Sequence, residues 1–294
     1  MTTIIIINYH NEELTIKFVQ EELCKLNSEY NIVIVNNEAD SESDMLLGHA
    51  LNAPVIKRDR HISSTSKCYI LSSSENLGFA KGNNLGVQFA VKHLHSKYLL
   101  FTNNDIQIIQ PETLDVLIQT LNQNPKIGMI GPMVRGLNGD FQSPEPYQTF
   151  WDRYVWMYIS TPFISSSSKT RKFSLDYASK ALEGFHYKVM GAFFVLRVED
   201  YINCGMMDSR TFLYAEEVIL AERLKKIKKG VYYCPRVCVI HAHGTTTKKT
   251  IGTKGINKYR LESESYYYNV YMHEPKWKIK IGSLIYKMIM RLKS

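Results

Sequence analysis

The sequence predicts an α/β protein built on a Rossmann-like, mostly parallel twisted sheet with helices on both faces. Three observations carry this. Short Ile/Val/Leu runs alternate with helix-length segments from residue 3 onward. The runs are apolar throughout instead of alternating, as strands buried on both faces require. Clusters of Asn and Asp follow several of the runs directly, at the edge where such sheets collect ligands.

The elements follow in order. Residues 3–8 form a strand, 12–26 a helix and 31–36 a second strand. A strand over 68–72 leads to a helix over 80–95. Then come a strand over 97–102, a helix over 111–124 that opens on Pro111, and a strand over 127–134. Beyond Gly136 the texture changes: turn residues Asn138, Gly139, Asp140, Pro144 and Pro146 precede an aromatic patch over 147–158 and a serine run over 165–168, the pattern of an irregular, mobile insertion. Regular patterning resumes with a strand over 188–197, a helix over 216–228 and a strand over 231–240. These divisions predict a domain over 1–250, with halves at 1–135 and 136–250, and an extension over 251–294.

Composition bounds the function. A chain of 294 residues, 45% hydrophobic and 22% charged, buries a sizeable core. The apolar run at Ile4 breaks at Asn8, too early for a signal peptide, and no run reaches the ~20 residues that span a bilayer. Five scattered cysteines, Cys24, Cys68, Cys204, Cys234 and Cys238, suit reduced thiols in a cytoplasmic protein. The formal net charge is +8, and residues 276–294 supply six of those charges through Lys276, Lys278, Lys280, Lys287, Arg291 and Lys293 with no acid. In the same segment Trp277, Ile281, Leu284, Ile285, Met288 and Leu292 recur at three- and four-residue steps. The pattern fits a helix lying peripherally on the anionic inner face of the cell membrane, or a terminal helix packed on its own domain with solvated lysines. Net charge concentrated in the tail, without basic and aromatic residues interleaved over the fold, argues against nucleic acid as a partner.

The chemistry lies at the strand ends. Asn103, Asn104 and Asp105 follow Tyr-Leu-Leu-Phe-Thr, offering a carboxylate to a hard divalent cation, which takes one or two carboxylates and ligand phosphates; the same residues also favour a plain turn. The loop Asn76-Leu77-Gly78-Phe79-Ala80-Lys81-Gly82-Asn83-Asn84 joins a strand to a helix, and its glycines permit close backbone approach to a ligand at the helix N-terminus. Asn36 and Asn37 end the second strand at the same edge, placed to hydrogen-bond a base or ribose. Glu216 and Glu217 open a helix, where a carboxylate complements the dipole or serves as a general base. Cys234, Cys238, His241 and His243 invite a zinc reading, but in an extended strand the cysteines and histidines fall on opposite faces. His241, just past the strand end, is the better metal candidate. For His243 a core or surface role is preferred.

Taken in order, these segments resemble the family 2 glycosyltransferases of the GT-A fold, particularly the bacterial rhamnosyltransferase-like branch. The resemblance rests on Ile4–Asn11, Val33–Asn37, the Asn76–Asn84 loop, Phe101–Asp105, Gly191–Arg197, Phe-Leu-Tyr-Ala-Glu-Glu and His-Ala-His-Gly-Thr-Thr, and it runs from Thr3 to about Thr247. It implies an inverting transfer from a nucleoside diphosphate sugar, with Mg²⁺ or Mn²⁺ bridging the diphosphate, to a hydroxyl of a glycan or lipid-linked glycan. Asp105 matches the last acid of the metal motif, and His241 the histidine that joins it. Asn8, Asn36, Asn37, Asn76, Gly78, Lys81, Asn83, Asn103 and Asn104 fall in the nucleotide-sugar site, and Glu217 falls where the family has the aspartate that deprotonates the acceptor. Lys248 and Lys249 would help the diphosphate depart. Three departures stand out: Asn103 begins the metal motif where many relatives carry aspartate, Glu217 replaces the usual aspartate so that Glu216 stays a possible base, and Ile219 stands where another acid is common. A pyrophosphorylase would need a glycine-rich loop at Asn8–Glu12, which has no glycine. A non-catalytic nucleotide-sugar-binding subunit is the remaining alternative.

Overall fold

The computed structural model describes residues 1–57, 66–156, 176–242 and 245–292, with the side chains of 155–156, 245–254 and 289–292 excluded. The serine run at 165–168, His243, and the side chains of Lys248, Lys249, Arg291, Leu292 and Lys293 lie outside the described residues.

In chain order the strands are β1 (Thr2–Asn8), β2 (Tyr30–Asn36), β3 (Val55–Ile56), β4 (Cys68–Ser72), β5 (Tyr98–Thr102), β6 (Ile106–Ile108), β7 (Ile127–Gly136), β8 (Gly184–His186), β9 (Phe193–Arg197) and β10 (Gly230–His241). The helices are α1 (Glu12–Lys17, continued by the π turn Phe18–Glu22 and the 3-10 turn Leu23–Lys25), α2 (Ser41–Ala50), α3 (Gly78–Leu94), α4 (Thr113–Gln123), α5 (Val198–Asn203), α6 (Glu216–Lys226), α7 (Thr245–Tyr266) and α8 (Lys276–Leu292). The strands make one sheet in the order β3-β4-β2-β1-β5-β9-β7-β10-β6, with β8 beside β10.

Successive residues of a strand face opposite sides, so one apolar run feeds two cores. Ile4 and Ile6 point to the side where Phe18, Leu23, Leu47, Leu114 and Leu117 cover the sheet from α1, α2 and α4. Ile5, Val33 and Val35 point to the side covered by Ala80, Val87 and Ala90 of α3, Tyr201 of α5 and Leu220 and Leu224 of α6. This two-sided burial is why the runs read as continuous. β1, β2, β4 and β5 pair in parallel as expected. β9 departs from the parallel reading, since it enters between β5 and β7 and pairs antiparallel with both. The strand expected over 188–197 becomes regular only at Phe193, because Lys188 and Met190 are drawn to the 143–145 stretch. There Glu145 N–H donates to Lys188 O at 3.0 Å and Met190 N–H to Ser143 Oγ at 3.2 Å.

A third cluster is built from the second half of the chain. Phe150 and Tyr154 of the predicted aromatic patch pack with Ile219, Tyr267, Tyr268 and Ile279. α8 sits here, so the tail helix is packed on its own domain through one face. Ile285, expected on the outward apolar face, is partly buried against this cluster instead.

Polar side chains tie the strand ends together. Asn104 Nδ2 donates to Thr15 Oγ1 at 2.8 Å, Thr15 Oγ1 to Asn8 Oδ1 at 2.7 Å, and Asn8 Nδ2 to Asn36 Oδ1 at 2.8 Å. Asn36 Nδ2 donates to Asp44 Oδ1 at 3.0 Å, and Ser72 Oγ reaches Asp44 Oδ2 at 2.8 Å. Asn8, Thr15 and Asn36 are completely buried, so removing one member orphans its neighbours, at about 1–3 kcal/mol each. Asn36→Ala is therefore expected to lower unfolding stability by at least about 2 kcal/mol in urea titration. A change inside about 0.5 kcal/mol, the range of an ordinary surface substitution, would contradict this ladder.

Candidate active site at the strand ends

β6 turns back after Asp105 and pairs antiparallel with β10, setting Ile106 opposite His241. Ala242 N–H closes the corner by donating to Asp105 O at 3.0 Å. The result is that His241 Nε2 lies 3.3 Å from Asp105 Oδ1. His241 is 3% exposed. Gln142, whose own N–H donates to Val134 O of β7 at 2.8 Å, places its Oε1 2.9 Å from His241 Nδ1. With Nδ1–H donating to that oxygen, the lone pair of Nε2 faces Asp105. Asn103 Nδ2 stands 3.5 Å from the same nitrogen.

Asp105 Oδ1 is buried and makes no hydrogen bond, the His241 approach having ion-pair distance without hydrogen-bond geometry. An electron-rich nitrogen aimed at a carboxylate oxygen is an arrangement a cation relieves. Asp105 and His241 therefore fit a divalent metal that keeps waters and takes its other oxygens from a ligand. Among the described residues no three His, Cys, Asp or Glu side chains converge on one point, so this pair is the candidate donor set among them. Cys234, Cys238 and His241 therefore form no zinc site among the described residues, and His243 lies outside them. The parity argument against zinc needs a correction, because β10 slips register against β7 between Cys234 and Cys238 and does not alternate regularly there.

The residues expected on the nucleotide side divide into two groups. Asn8, Asn36 and Asn104 spend their side chains on the strand-end ladder. Asn37 differs: its Nδ2 donates to Gly78 O at 3.3 Å, while its Oδ1 is buried and without a hydrogen bond. Asn76 Oδ1 accepts from Gly78 N–H at 3.0 Å. Gly78 takes φ +70°, and a Cβ there would strike Phe212 O. Phe79 N–H donates to that carbonyl at 2.9 Å, so the Asn76–Asn84 loop is pinned to the segment that leads into α6. Asn83 is buried and donates to Phe79 O at 3.0 Å; Lys81 is exposed on α3.

The two glutamates have separate surroundings. Tyr214 and Ala215 both adopt positive φ, 74° and 66°, a conformation costly for non-glycine residues and concentrated at functional sites. The turn sends Glu216 inward, where it is 4% exposed with Oε1 unpartnered. Burial, reinforced by the neighbouring Glu217 charge, pushes its carboxyl up to about 8. The Glu217 carboxylate lies across Gly191, in the space a Cβ would take. Gly191 adjoins Ala192, whose carbonyl accepts from Asn103 N–H at 2.9 Å, so Glu217 borders the strand end that carries Asp105. Burial opposes the charge on Lys188, but the carboxylates of Glu145 and Glu217 outweigh it and raise the ammonium above its usual range. Gln142, Thr15, Asp44 and Lys188 are not among the sequence candidates, since each acquires its role from partners that the fold, and no local motif, brings to it.

The glycosyl transferase family 2 model matches residues 4–190. The low-salt glycan biosynthesis hexosyltransferase Agl10 of Haloferax volcanii is 20% identical over 241 residues, which is 81% of this chain and 66%, just under two thirds, of that protein. Among solved structures, the mannosyltransferase PcManGT of Pyrobaculum calidifontis, in complex with GDP-Man and Mn²⁺, superposes with a TM-score of 0.58 at 11% identity, covering 97% of this chain and 73% of that one. S. aureus TarS 1-349 gives 0.51 at 12% identity, covering 92% and 72%. These two likenesses show the GT-A-type fold. With the family model matching well over half its length, the chain belongs to glycosyl transferase family 2.

Proposed function

We propose that the chain transfers a sugar, rhamnose or a hexose, from a nucleoside diphosphate donor to a hydroxyl of a surface-polysaccharide or lipid-linked glycan, inverting the anomeric centre. The observation that carries this reading is the buried Asp105 Oδ1 without a hydrogen bond, 3.3 Å from His241 Nε2 at the strand ends that Glu217 borders. The mannosyltransferase relative, bound to GDP-Man and Mn²⁺, supports a nucleotide-sugar donor and a divalent ion.

Asp105 and His241 would hold Mg²⁺ or Mn²⁺, which supplies the positive charge a departing diphosphate needs. Asn37 Oδ1, buried and still able to accept, would meet a donor group of the nucleotide. Glu217 takes the proton of the acceptor hydroxyl; the freed oxygen bonds to the anomeric carbon from the face opposite the diphosphate, and the bond from that carbon to the phosphate oxygen breaks with its electron pair. Glu216, neutral below about pH 8, is unsuited to accept that proton at neutral pH.

The reading is tested by release of nucleoside diphosphate from dTDP-rhamnose, UDP-hexoses and GDP-mannose with Mn²⁺ and a glycan acceptor. Turnover supports a transferase, whereas saturable donor binding without release supports a non-catalytic subunit. Glu217→Gln is expected to lower kcat about 10²- to 10⁴-fold with little change in donor KM. Gly191→Ala should act in the same direction without unfolding the protein, because the added Cβ displaces only the flexible end of Glu217. Wild-type kcat in both variants would remove Glu217 as the base.

Glu216 also sets a pH dependence. It holds its proton in the folded state up to about pH 8 but in the unfolded chain only up to about 4.5. The folded state thus binds more protons in this window, and stability falls as pH rises from about 4.5 to about 8. Glu216→Gln is expected to flatten the Tm profile over that range; a profile parallel to wild type would contradict the assignment.

A further inference from the structure

α8 presents two apolar faces. At roughly 100° per residue, Ile279, Gly282 and Tyr286 share one side, and they pack inward. Ile279 is 9% exposed, a Cβ at Gly282 would strike the Phe150 ring, and Tyr286 lies 6.2 Å from Tyr154, centroid to centroid. Trp277, Ile281, Leu284 and Met288 project within about 60° of one another on the opposite side. They are 63%, 43%, 59% and 61% exposed. A packed helix needs only one apolar face, and nothing within the described chain covers the second. Scattered exposed apolar residues are ordinary, but four in register on one helix mark an interaction surface.

Charge beside the stripe selects its occupant. Lys276, Lys280 and Lys287 follow one flank and are exposed. Lys278, on the other flank, is paired with Glu274 at 2.6 Å. No acidic residue occurs between 276 and 294. A second copy packed antiparallel on this face would bring the same lysine row against this one, and a parallel copy would meet the lysines with a helix that carries no acid. An anionic bilayer satisfies both features at once, because its phosphates meet the lysines while its acyl boundary takes the apolar stripe, with Trp277 of the type that settles at such interfaces. Among the described residues no helix is long and apolar enough to cross a membrane.

We infer that the outer face of α8, centred on Ile281 and Leu284, docks in the plane of an anionic lipid surface and presents the acceptor-side half of the protein to it. The orientation follows from packing. α8 rests on the same aromatic cluster as Ile219 and Val218 of α6, the helix that Glu216 and Glu217 open. The donor loop at Asn76–Asn84 and the strand-end ladder belong to other elements. A protein held this way meets acceptors carried in the membrane, so the inference deepens the transferase reading by choosing the lipid-linked glycan over a free one, and for that choice it rests on that reading.

The test uses the full chain and co-sedimentation with vesicles of equal parts phosphatidylcholine and phosphatidylglycerol, against vesicles of phosphatidylcholine alone. Wild type is expected to sediment with the mixed vesicles and to lose binding at high salt. Ile281→Ser/Leu284→Ser and, separately, Lys276→Glu/Lys280→Glu/Lys287→Glu should each weaken partitioning about tenfold or more. These positions are exposed, so the Tm and the release of nucleoside diphosphate with a soluble acceptor should remain those of wild type. Binding by both variants equal to wild type, wild-type binding indifferent to lipid charge, or a solution dimer that the serine variant dissolves would each overturn the proposal. Vesicle binding without sugar transfer would sink the functional reading and leave the docking face standing, whereas transfer without vesicle binding would do the reverse.

Discussion

Parallel strands that are buried on both faces leave a problem at their carboxyl ends, where the chain must turn out of the sheet while its polar groups are still shielded from water. In this protein the solution is one line of side-chain hydrogen bonds from Asn104 through Thr15, Asn8 and Asn36 to Asp44. The line joins the ends of β5, β1 and β2 to the first turns of α1 and α2. Buried amides unpaired there would each cost about 1–3 kcal/mol, so the ladder fixes where β5 ends and hence where Asp105 stands. The metal-candidate pair depends on it from one side and on β10 from the other, through the pairing of Ile106 with His241.

The turn into α6 is built on a different principle. Two consecutive left-handed residues, Tyr214 and Ala215, turn the chain so that adjacent glutamates part company. One is buried with its carboxyl pushed up to about 8. The other lies over a glycine, within electrostatic reach of Lys188. Identical side chains one residue apart thus acquire distinct surroundings, one buried at 4% exposure and the other laid across Gly191. Phe212 O accepts from Phe79 N–H, so the segment that aims the glutamates also holds the Asn76–Asn84 loop.

Much of this was legible in the residues. β1, β2, β4, β5 and β7 announce themselves because two-sided burial demands unbroken apolar runs, and Asn103–Asp105 at the end of such a run falls at the sheet edge by necessity. Direction was not legible for β9, since Phe193–Arg197 reads the same whichever way it runs. Short β6 carries too few residues to show a pattern, although it brings Asp105 to His241. Gln142 lies 99 residues before His241, and nothing local marks it as the partner that orients the ring. On α8 the recurrence of apolar residues at three- and four-residue steps was visible, but which of them face inward depends on Phe150 and Tyr154, more than a hundred residues away.

Asp105 and His241, as the proposed divalent site, would be completed by a nucleoside diphosphate. The most direct measurement is the thermal unfolding of the full chain with Mn²⁺, with GDP, UDP or dTDP, and with both together, since a ligand of the native state raises its Tm. Mn²⁺ and one diphosphate together are expected to raise the Tm by more than the sum of the two separate shifts, and Asp105→Asn to abolish this excess. Additive shifts, or an excess that survives Asp105→Asn, would contradict this assignment.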